Sequence, residues 1–513
     1  MNEAGKTKPI SQRWLDNIER LGNRLPNPVL LFIIFCAVVI LASSLVSGAG
    51  INASHPLTGE TLAARSLLSA DGLRWMLTNA VSNFTQFAPV GPVIVAIMGI
   101  AIAEHSGLLA KVLHALTLRA HPRLLSAVVV FAGVLSSIGF DAGYVVLVPL
   151  AALIFKAAGR SPLAGIAAAF AGVSGGYSAN LLLGPVDAVL AGISSEAIAL
   201  LSPEHEVLTS SNYYFIIVST LFVTVIGALV NDYLVEPRLP RPTPQSDADV
   251  DINKTGELPT GADEQQSQRR PLFWVSVYSV VFALLMLWTV LPAQGLLRNP
   301  DPNGLVALPL LKTLVVWIAL YAGGAGIVFG YSSGKYRSSN DWVAGMESGI
   351  ATLTGYLVLM FFAAQFVNYF SWSGLGALAA ISGADWLSSL ALSKTSLLLL
   401  FILTSAAINL LIGSASAKWA VMAPVFVPML ALLGLTPEAT QMAYRIGDSS
   451  TNIITPLMPY FGVIVAFMQS HDKEAGMGTL MSMMLPYSIC FLFAWSGLLL
   501  FWLGVGLPLG PGG

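Results

Sequence analysis

Charge and cysteine are what this sequence has least of. Of its 513 residues, 25 are Lys or Arg and 27 are Asp or Glu, so charged side chains make up 10%, where a soluble domain carries about 25%. Disorder does not explain the shortage, because 55% of the residues are hydrophobic and 10% aromatic. The two cysteines, Cys36 and Cys490, lie far apart inside apolar runs. That excludes a disulfide framework, a CxxC pair and a cysteine-based zinc site. A net charge of −2 excludes the basic footprint of a nucleic-acid-binding protein. HExxH and P-loop patterns are absent, which argues against a membrane-embedded enzyme. Long apolar runs with few charges remain, and they read as a polytopic membrane protein.

The chain is polar and basic up to Pro26. A signal peptide would carry a shorter apolar core followed by a cleavage site, so Pro28–Ser47 reads as an uncleaved first helix. Further runs occupy Phe87–His105, Arg123–Ala158, Pro162–Ile193, Tyr213–Val235, Pro271–Leu291, Leu308–Tyr331, Ala344–Trp372, Lys394–Leu433, Pro437–Gln469 and Leu480–Leu503. One stretch reads as a water-exposed, cytoplasmic linker. Residues 236–270 are rich in Pro, Asp, Gln and Ser, and separate a first half (1–235) from a second (271–513).

Two runs are too long for one crossing. As single helices, 123–158 and 394–433 would each exceed about 50 Å at about 1.5 Å per residue, against a hydrocarbon core of about 30 Å. Each is interrupted centrally, by Ser136-Ser137-Ile138-Gly139-Phe140-Asp141 and by Gly413-Ser414-Ala415-Ser416-Ala417-Lys418. Two re-entrant hairpins answer both points, with polar tips buried in protein or lining a wet cavity. The runs that follow, 162–193 and 437–469, also read as broken helices, interrupted at Gly172–Asn180 and at Gly447–Asn452 with Pro456 beyond.

These segments match one another. Asp141–Ser174 slides onto Ser416–Ser449 at one constant offset, pairing Pro149 with Pro424, Gly159 with Gly434, Pro162 with Pro437, Gly172 with Gly447 and Tyr144 with Trp419. With a short gap, Ser178-Ala179-Asn180 meets Ser450-Thr451-Asn452. We place the N-terminus inside, return each hairpin to its own side, and count each broken helix as one crossing. Eighteen basic residues then fall inside and five outside (Arg65, Arg74, Arg298, Lys312 and Lys394), the asymmetry of a cytoplasmic N-terminus. The expected fold is an all-α polytopic membrane protein with about nine transmembrane helices and two re-entrant hairpins. One hairpin enters from each side, so the repeats are inverted. Inverted repeats with broken helices meeting at the midplane mark secondary transporters.

Two basic residues are left at membrane depth, Lys418 and Arg445, with Asp141, Asp187 and Asp448 as acidic counterparts. Each buried charge needs a partner, a cavity or an ion. Arg445 and Asp448 lie three apart, so they either neutralise one another or act as an anion fork and a cation or proton site. Trp419 is either packing or an aromatic platform. Asn180, Asn452, Ser178, Ser450 and Thr451 either cap half-helices or offer oxygens to a hard cation such as sodium. Asn409 is a weaker candidate of the same kind. Asp187 and Asp141 either face the cavity or lie outside it. Lys418 either snorkels or pairs, and it is assigned no role.

Four stretches, Arg20–Pro28, Gly172–Asp187, Gly413–Trp419 and Tyr444–Ser449, resemble the AbgT family of p-aminobenzoyl-glutamate transporters over nearly the whole chain. The resemblance implies a dimer in the bacterial inner membrane, each protomer with nine transmembrane helices and two hairpins. It also implies import of p-aminobenzoyl-glutamate, or proton-driven export of sulfonamide antimetabolites. By motif it implies that Asp187, Ser416, Trp419, Arg445, Asp448 and Pro456 line or shape the substrate path. Asn409 and Asp448 become candidates for a sodium site, and no other cofactor is expected. The family resembles sodium-coupled dicarboxylate carriers in architecture, and that resemblance implies an elevator movement of the hairpin-bearing core against a dimeric scaffold. A sodium-coupled dicarboxylate symporter and a passive channel are the competing readings.

Overall fold

The computed structural model describes residues 28–54, 61–88, 90–112, 124–137, 143–239, 262–292, 295–297, 313–455, 458 and 460–511. Asp141, Pro456 and most of the linker lie outside them. The described chain is helical apart from turns and one small antiparallel pair, Asn52–Ser54 with Thr61–Ala63. In chain order the helices are α1 (Pro28–Gly48), α2 (Ala70–Thr85), α3 (Val90–Ser106), α4 (Leu125–Ser136), α5 (Gly143–Ala157), α6 (Pro162–Gly175), α7 (Pro185–Ile198) and α8 (Tyr213–Val230, extended to Arg238). In the second half they are α9 (Ala262–Val290), α10 (Leu314–Ser332), α11 (Ser339–Thr352), α12 (Thr354–Trp372), α13 (Leu375–Ser389), α14 (Lys394–Asn409), α15 (Ala415–Leu432), α16 (Pro437–Asn452), α17 (Phe461–Gln469) and α18 (Met477–Gly504).

Among the described residues, seven helical segments are long and apolar enough to cross a bilayer, and the α11–α12 pair, bent by 46°, is an eighth. Six of the seven coincide with expected spans. The seventh, α15, was expected as a hairpin arm. Two helices were not anticipated: α2, and α13, an Ala- and Gly-rich helix that carries Asp385 in a run too short to register as a span. Exposed Leu41, Leu45, Val81, Val280, Trp288 and Phe493 give the outer surface the apolar character of a lipid-facing one.

Both long runs break where expected. The first divides into α4 and α5, and the second into α14 and α15 across Leu410–Ser414. Each pair closes at its base. Lys394 Nζ, opening α14, donates to Gly434 O, just past α15, at 2.8 Å. Arg160, just past α5, donates through Nη2 to Ser126 Oγ at the start of α4 at 2.9 Å. A chain that returns to its starting point has turned back, so both are hairpins.

The hairpin bases lie at opposite ends of α8. Arg160 also pairs with Asp232 and Glu236 at the C-terminal end of that helix. At its other end Asn212 Nδ2 donates to Gln441 Oε1 at 2.6 Å, in the first turns of α16, which starts three residues after Gly434. The 26-residue segment Tyr213–Arg238 is about 39 Å long at about 1.5 Å per residue, enough to separate two membrane faces.

Aligned glycines behave alike. Gly159 and Gly434 both have φ near +75° (71° and 79°), closing α5 and α15 before the Pro that opens the next helix. Gly172 and Gly447 are close-contact points. A Cβ on Gly172 would lie 2.4 Å from Val130 O on α4, and one on Gly447 would lie 2.5 Å from Ile402 O and 2.8 Å from Ser405 Cβ on α14. Val130 and Ser405 are related by the same offset as the glycines. The positions of the breaks differ from expectation. α6 stays helical through Gly175, its last turn widened to i→i+5 bonds, and unwinds only from Gly176 to Gly184. α16 is helical throughout Gly447–Asn452 and ends beyond it. Glycine at these places serves helix contact, and the chain unwinds one step later.

Candidate functional site

A cavity of about 640 Å³ lies where the hairpins and broken helices meet. Gly413, Ser414, Ala415 and Ser416 of the α14–α15 turn form one wall. Tyr144 of α5, Tyr177 of the first break, and Asn452, Met458 and Tyr460 of the second form others. Glu104 of α3 and Leu353 and Tyr356 at the α11–α12 bend complete it. Tyr144 and Tyr460, one from each half, stack with centroids 4.5 Å apart and planes 5° apart. The volume is that of a small-molecule site, and the lining is mostly apolar and aromatic with a few converging polar groups.

Behind this wall stand two buried ion pairs. Arg445 on α16 does not pair with Asp448. Its Nη1 lies 2.6 Å from Asp187 Oδ1 and its Nη2 donates to Ser178 O at 3.2 Å, so it ties α16 to both ends of the unwound stretch after α6. Gly184 precedes Pro185 at the start of α7, where Asp187 accepts the Gly184 N–H through Oδ2 at 2.7 Å. A carboxylate at a helix N-terminus is doubly favoured, by the free N–H groups and by the dipole. The Arg445–Asp187 contact is close without hydrogen-bond alignment. Arg445 Nε has no protein partner although the side chain is buried.

Asp448 pairs with Lys418, the residue without an assigned role. Lys418 Nζ donates to Asp448 Oδ1 and to Asn409 Oδ1, and lies 5.3 Å from the centre of the Tyr444 ring. Asn409 Nδ2 donates to Asp448 O, Thr451 Oγ1 and Asn452 Oδ1 at 2.8–2.9 Å. Asn452 Nδ2 donates to Asp448 Oδ2 at 3.4 Å. The side-chain oxygens expected to hold sodium thus already accept from an ammonium and two amides. With Lys418 in place, Asn409 and Asp448 do not fit a resident sodium ion. Among the described residues, no three His, Cys, Asp or Glu side chains converge on a metal-sized space.

The remaining candidates divide. Ser416 and Asn452 line the cavity. Trp419 is fully buried behind it, stacked on Tyr444 with centroids 4.4 Å apart, and its Nε1 donates to Ser194 Oγ at 3.0 Å. It therefore supports the wall rather than facing the space. Asn180 donates to Ser137 Oγ at 2.8 Å and Val134 O at 3.3 Å, tying the first break to the end of α4. Asn452 ties the second break to Asn409 at the end of α14, and Val134 and Asn409 are again one repeat offset apart. Pro456 lies outside the described residues, next to Thr455, whose buried Oγ1 has no partner. Sequence reasoning missed the tyrosines and Glu104. Their only signal was aromatic or acidic character beside a predicted break or inside an apolar run.

The AbgT putative transporter family model matches residues 13–513. The p-aminobenzoyl-glutamate transport protein of Escherichia coli K12 is 36% identical over 500 residues, covering 96% of this chain and 95% of the relative. The crystal structure of the YdaH transporter of Alcanivorax borkumensis superposes with a TM-score of 0.88 at 50% identity, covering 95% of this chain and 100% of that one. MtrF of Neisseria gonorrhoeae, described within a class of antimetabolite efflux pumps, superposes at 0.89 and 46% identity, covering 97% and 99%.

Proposed function

The chain belongs to the AbgT putative transporter family, and from that premise we propose that it is a secondary active transporter of p-aminobenzoyl-glutamate and related p-aminobenzoate compounds. On this reading sulfonamides are export substrates and a proton or sodium gradient drives the cycle. The observation that carries it is the cavity of about 640 Å³ where the hairpins and broken helices converge. Among the described residues its lining holds four tyrosines, and the single charged side chain is Glu104. That lining favours a ligand with an aromatic amine ring over an aliphatic dicarboxylate, which has no ring to set against the tyrosines.

Ser416 touches the ligand from the hairpin turn. The unpartnered Arg445 Nε supplies a donor for its acidic or sulfonyl end, in competition with Asp187 for the same guanidinium. Trp419 shapes the wall, and Asp448, Asn409, Asn180 and Asn452 fix the broken helices around it. Opposite entry of the two hairpins, motivated by their bases at opposite ends of α8, makes the repeats inverted and suits alternating access. We place the protein as a homodimer in the bacterial inner membrane, N-terminus cytoplasmic, with the hairpin-bearing core moving against the scaffold.

The test is counter-flow in proteoliposomes with labelled p-aminobenzoyl-glutamate, chased by unlabelled p-aminobenzoyl-glutamate or succinate, with pH and sodium gradients imposed separately. Exchange only with the aromatic chase, and accumulation under one of the gradients, is expected. Uptake of labelled succinate with no movement of labelled p-aminobenzoyl-glutamate would establish a dicarboxylate carrier. Equilibration without accumulation under either gradient would establish a channel.

A further inference from the structure

We propose that Lys418 is the built-in cation of this transporter. Its ammonium holds the place between Asn409 and Asp448 that an alkali cation would otherwise take, and an alkali-cation site opens there only when Lys418 leaves it.

The argument is one of charge and of ligand count. Lys418 has no exposed surface, and its Nζ sits on Asn409 Oδ1 and Asp448 Oδ1 with the Tyr444 ring beyond. Those two oxygens are hard ligands of the kind a monovalent cation takes, and Asn452 Oδ1 and Thr451 Oγ1 lie beside them, on the amide nitrogen of Asn409. The ammonium and the Asn409 amide use all four. With Lys418 present the group is neutral, one ammonium against one carboxylate. A second cation would leave net positive charge in a closed interior, which is costly. Exchange of one cation for one ammonium keeps neutrality, so entry of the ion and departure of the lysine are one event. The geometry allows it, because Lys418 lies in the first turn of α15, whose cap Ser414 and neighbour Ser416 line the cavity. Asn409 and Asp448 belong to α14 and α16, so a departing lysine alters the contact between the hairpin and the broken helix.

The proposal takes its meaning from the transporter reading, but it is tested by binding without flux, so the two fail separately. The full chain is purified in detergent without sodium, and its Tm is followed against NaCl with choline chloride at constant ionic strength. A ligand that binds only the folded state raises Tm saturably. The wild type and Lys418→Arg are expected to show no sodium-specific rise. Lys418→Met is expected to gain a saturable sodium-specific rise, which Lys418→Met/Asp448→Asn lacks. If Lys418→Met is recovered folded only when sodium is present throughout purification, that rescue is the same result in another form. The proposal is overturned if the wild type shows a sodium-specific rise as large as that of Lys418→Met, because the lysine then does not hold the ion's place. It is equally overturned if Lys418→Met is folded and blind to sodium, or is not rescued by sodium while the double variant folds.

Discussion

Removing one member of a buried ion pair strands the other in an apolar interior, which costs about 3–5 kcal/mol, whereas replacing both with neutral groups of similar volume is often tolerated. Arg445 and Asp187 are 3% and 5% exposed, so the rule applies in full. Arg445→Met and Asp187→Asn should each lower the Tm of the purified protein clearly, and the double variant should recover much of the loss. Uptake should be absent in both Arg445→Met variants, because the donor for the substrate's acidic end has gone. A double variant with wild-type uptake would make the pair structural only. At this scale the sequence marked the charged residues well and their partners badly. Arg445 and Asp448 sit one helical turn apart, which suggested a local pair. The long arginine instead reaches the unwound stretch beyond α6, and Asp448 meets a lysine from α15. Partner choice between elements is set by tertiary register, which no spacing along one helix encodes.

At the scale of elements, the test lies in the glycines. Gly447→Ala puts a Cβ 2.5 Å from the Ile402 carbonyl, so α14 and α16 must separate. Overpacking of this kind costs about 1–3 kcal/mol. Gly462→Ala in α17 meets nothing within 4 Å and should be neutral or stabilising by up to about 1 kcal/mol through helix propensity. Thermal unfolding of the two variants in one detergent checks the contrast, and equal effects would refute the close-contact account. The hairpins and broken helices were legible because small polar residues interrupt long apolar runs. The exact break was not, since glycine marks close packing and unwinding alike. α13 stayed hidden because helices shorter than a span and buried against neighbours leave no membrane-length signal.

A second element-level prediction concerns the base of the first hairpin. Burial works against the charge of Arg160, but Glu236 and Asp232 outweigh it and hold the guanidinium above the usual arginine pKa. The same side chain lies over the Phe155 ring at 4.5 Å. Arg160→Gln should therefore loosen α5 and α8 together, leave two carboxylates facing each other, and cost about 1.5–3 kcal/mol, the scale of a charge-assisted hydrogen bond. Adding Asp232→Asn should restore part of the Tm. An unchanged Tm in Arg160→Gln would mean that the network is ornamental.

For the whole molecule, the strongest constraint is that contacts between loops respect one partition. Arg160 joins Glu236, Lys335 joins the His105 carbonyl, Arg65 lies over Trp372, and Lys394 joins Gly434. In each case the basic-residue count had already put the two segments on one face. Such agreement fixes which loops share a side, but it is blind to which side faces the cytoplasm, because a structure turned over has identical contacts. Only the excess of Lys and Arg carries that information. Cysteine labelling decides it cleanly, since Cys36 and Cys490 are the only thiols to replace. On a cysteine-free background, Lys394→Cys should react with a membrane-impermeant maleimide in intact cells once the outer membrane is permeabilised. Lys156→Cys, near the base of the other hairpin, should react only after the inner membrane is opened. Labelling of both from one side would refute opposite entry of the hairpins and the inverted repeat with it. The reverse pattern would preserve the repeat and turn the protein over, and with it the face from which the cavity loads.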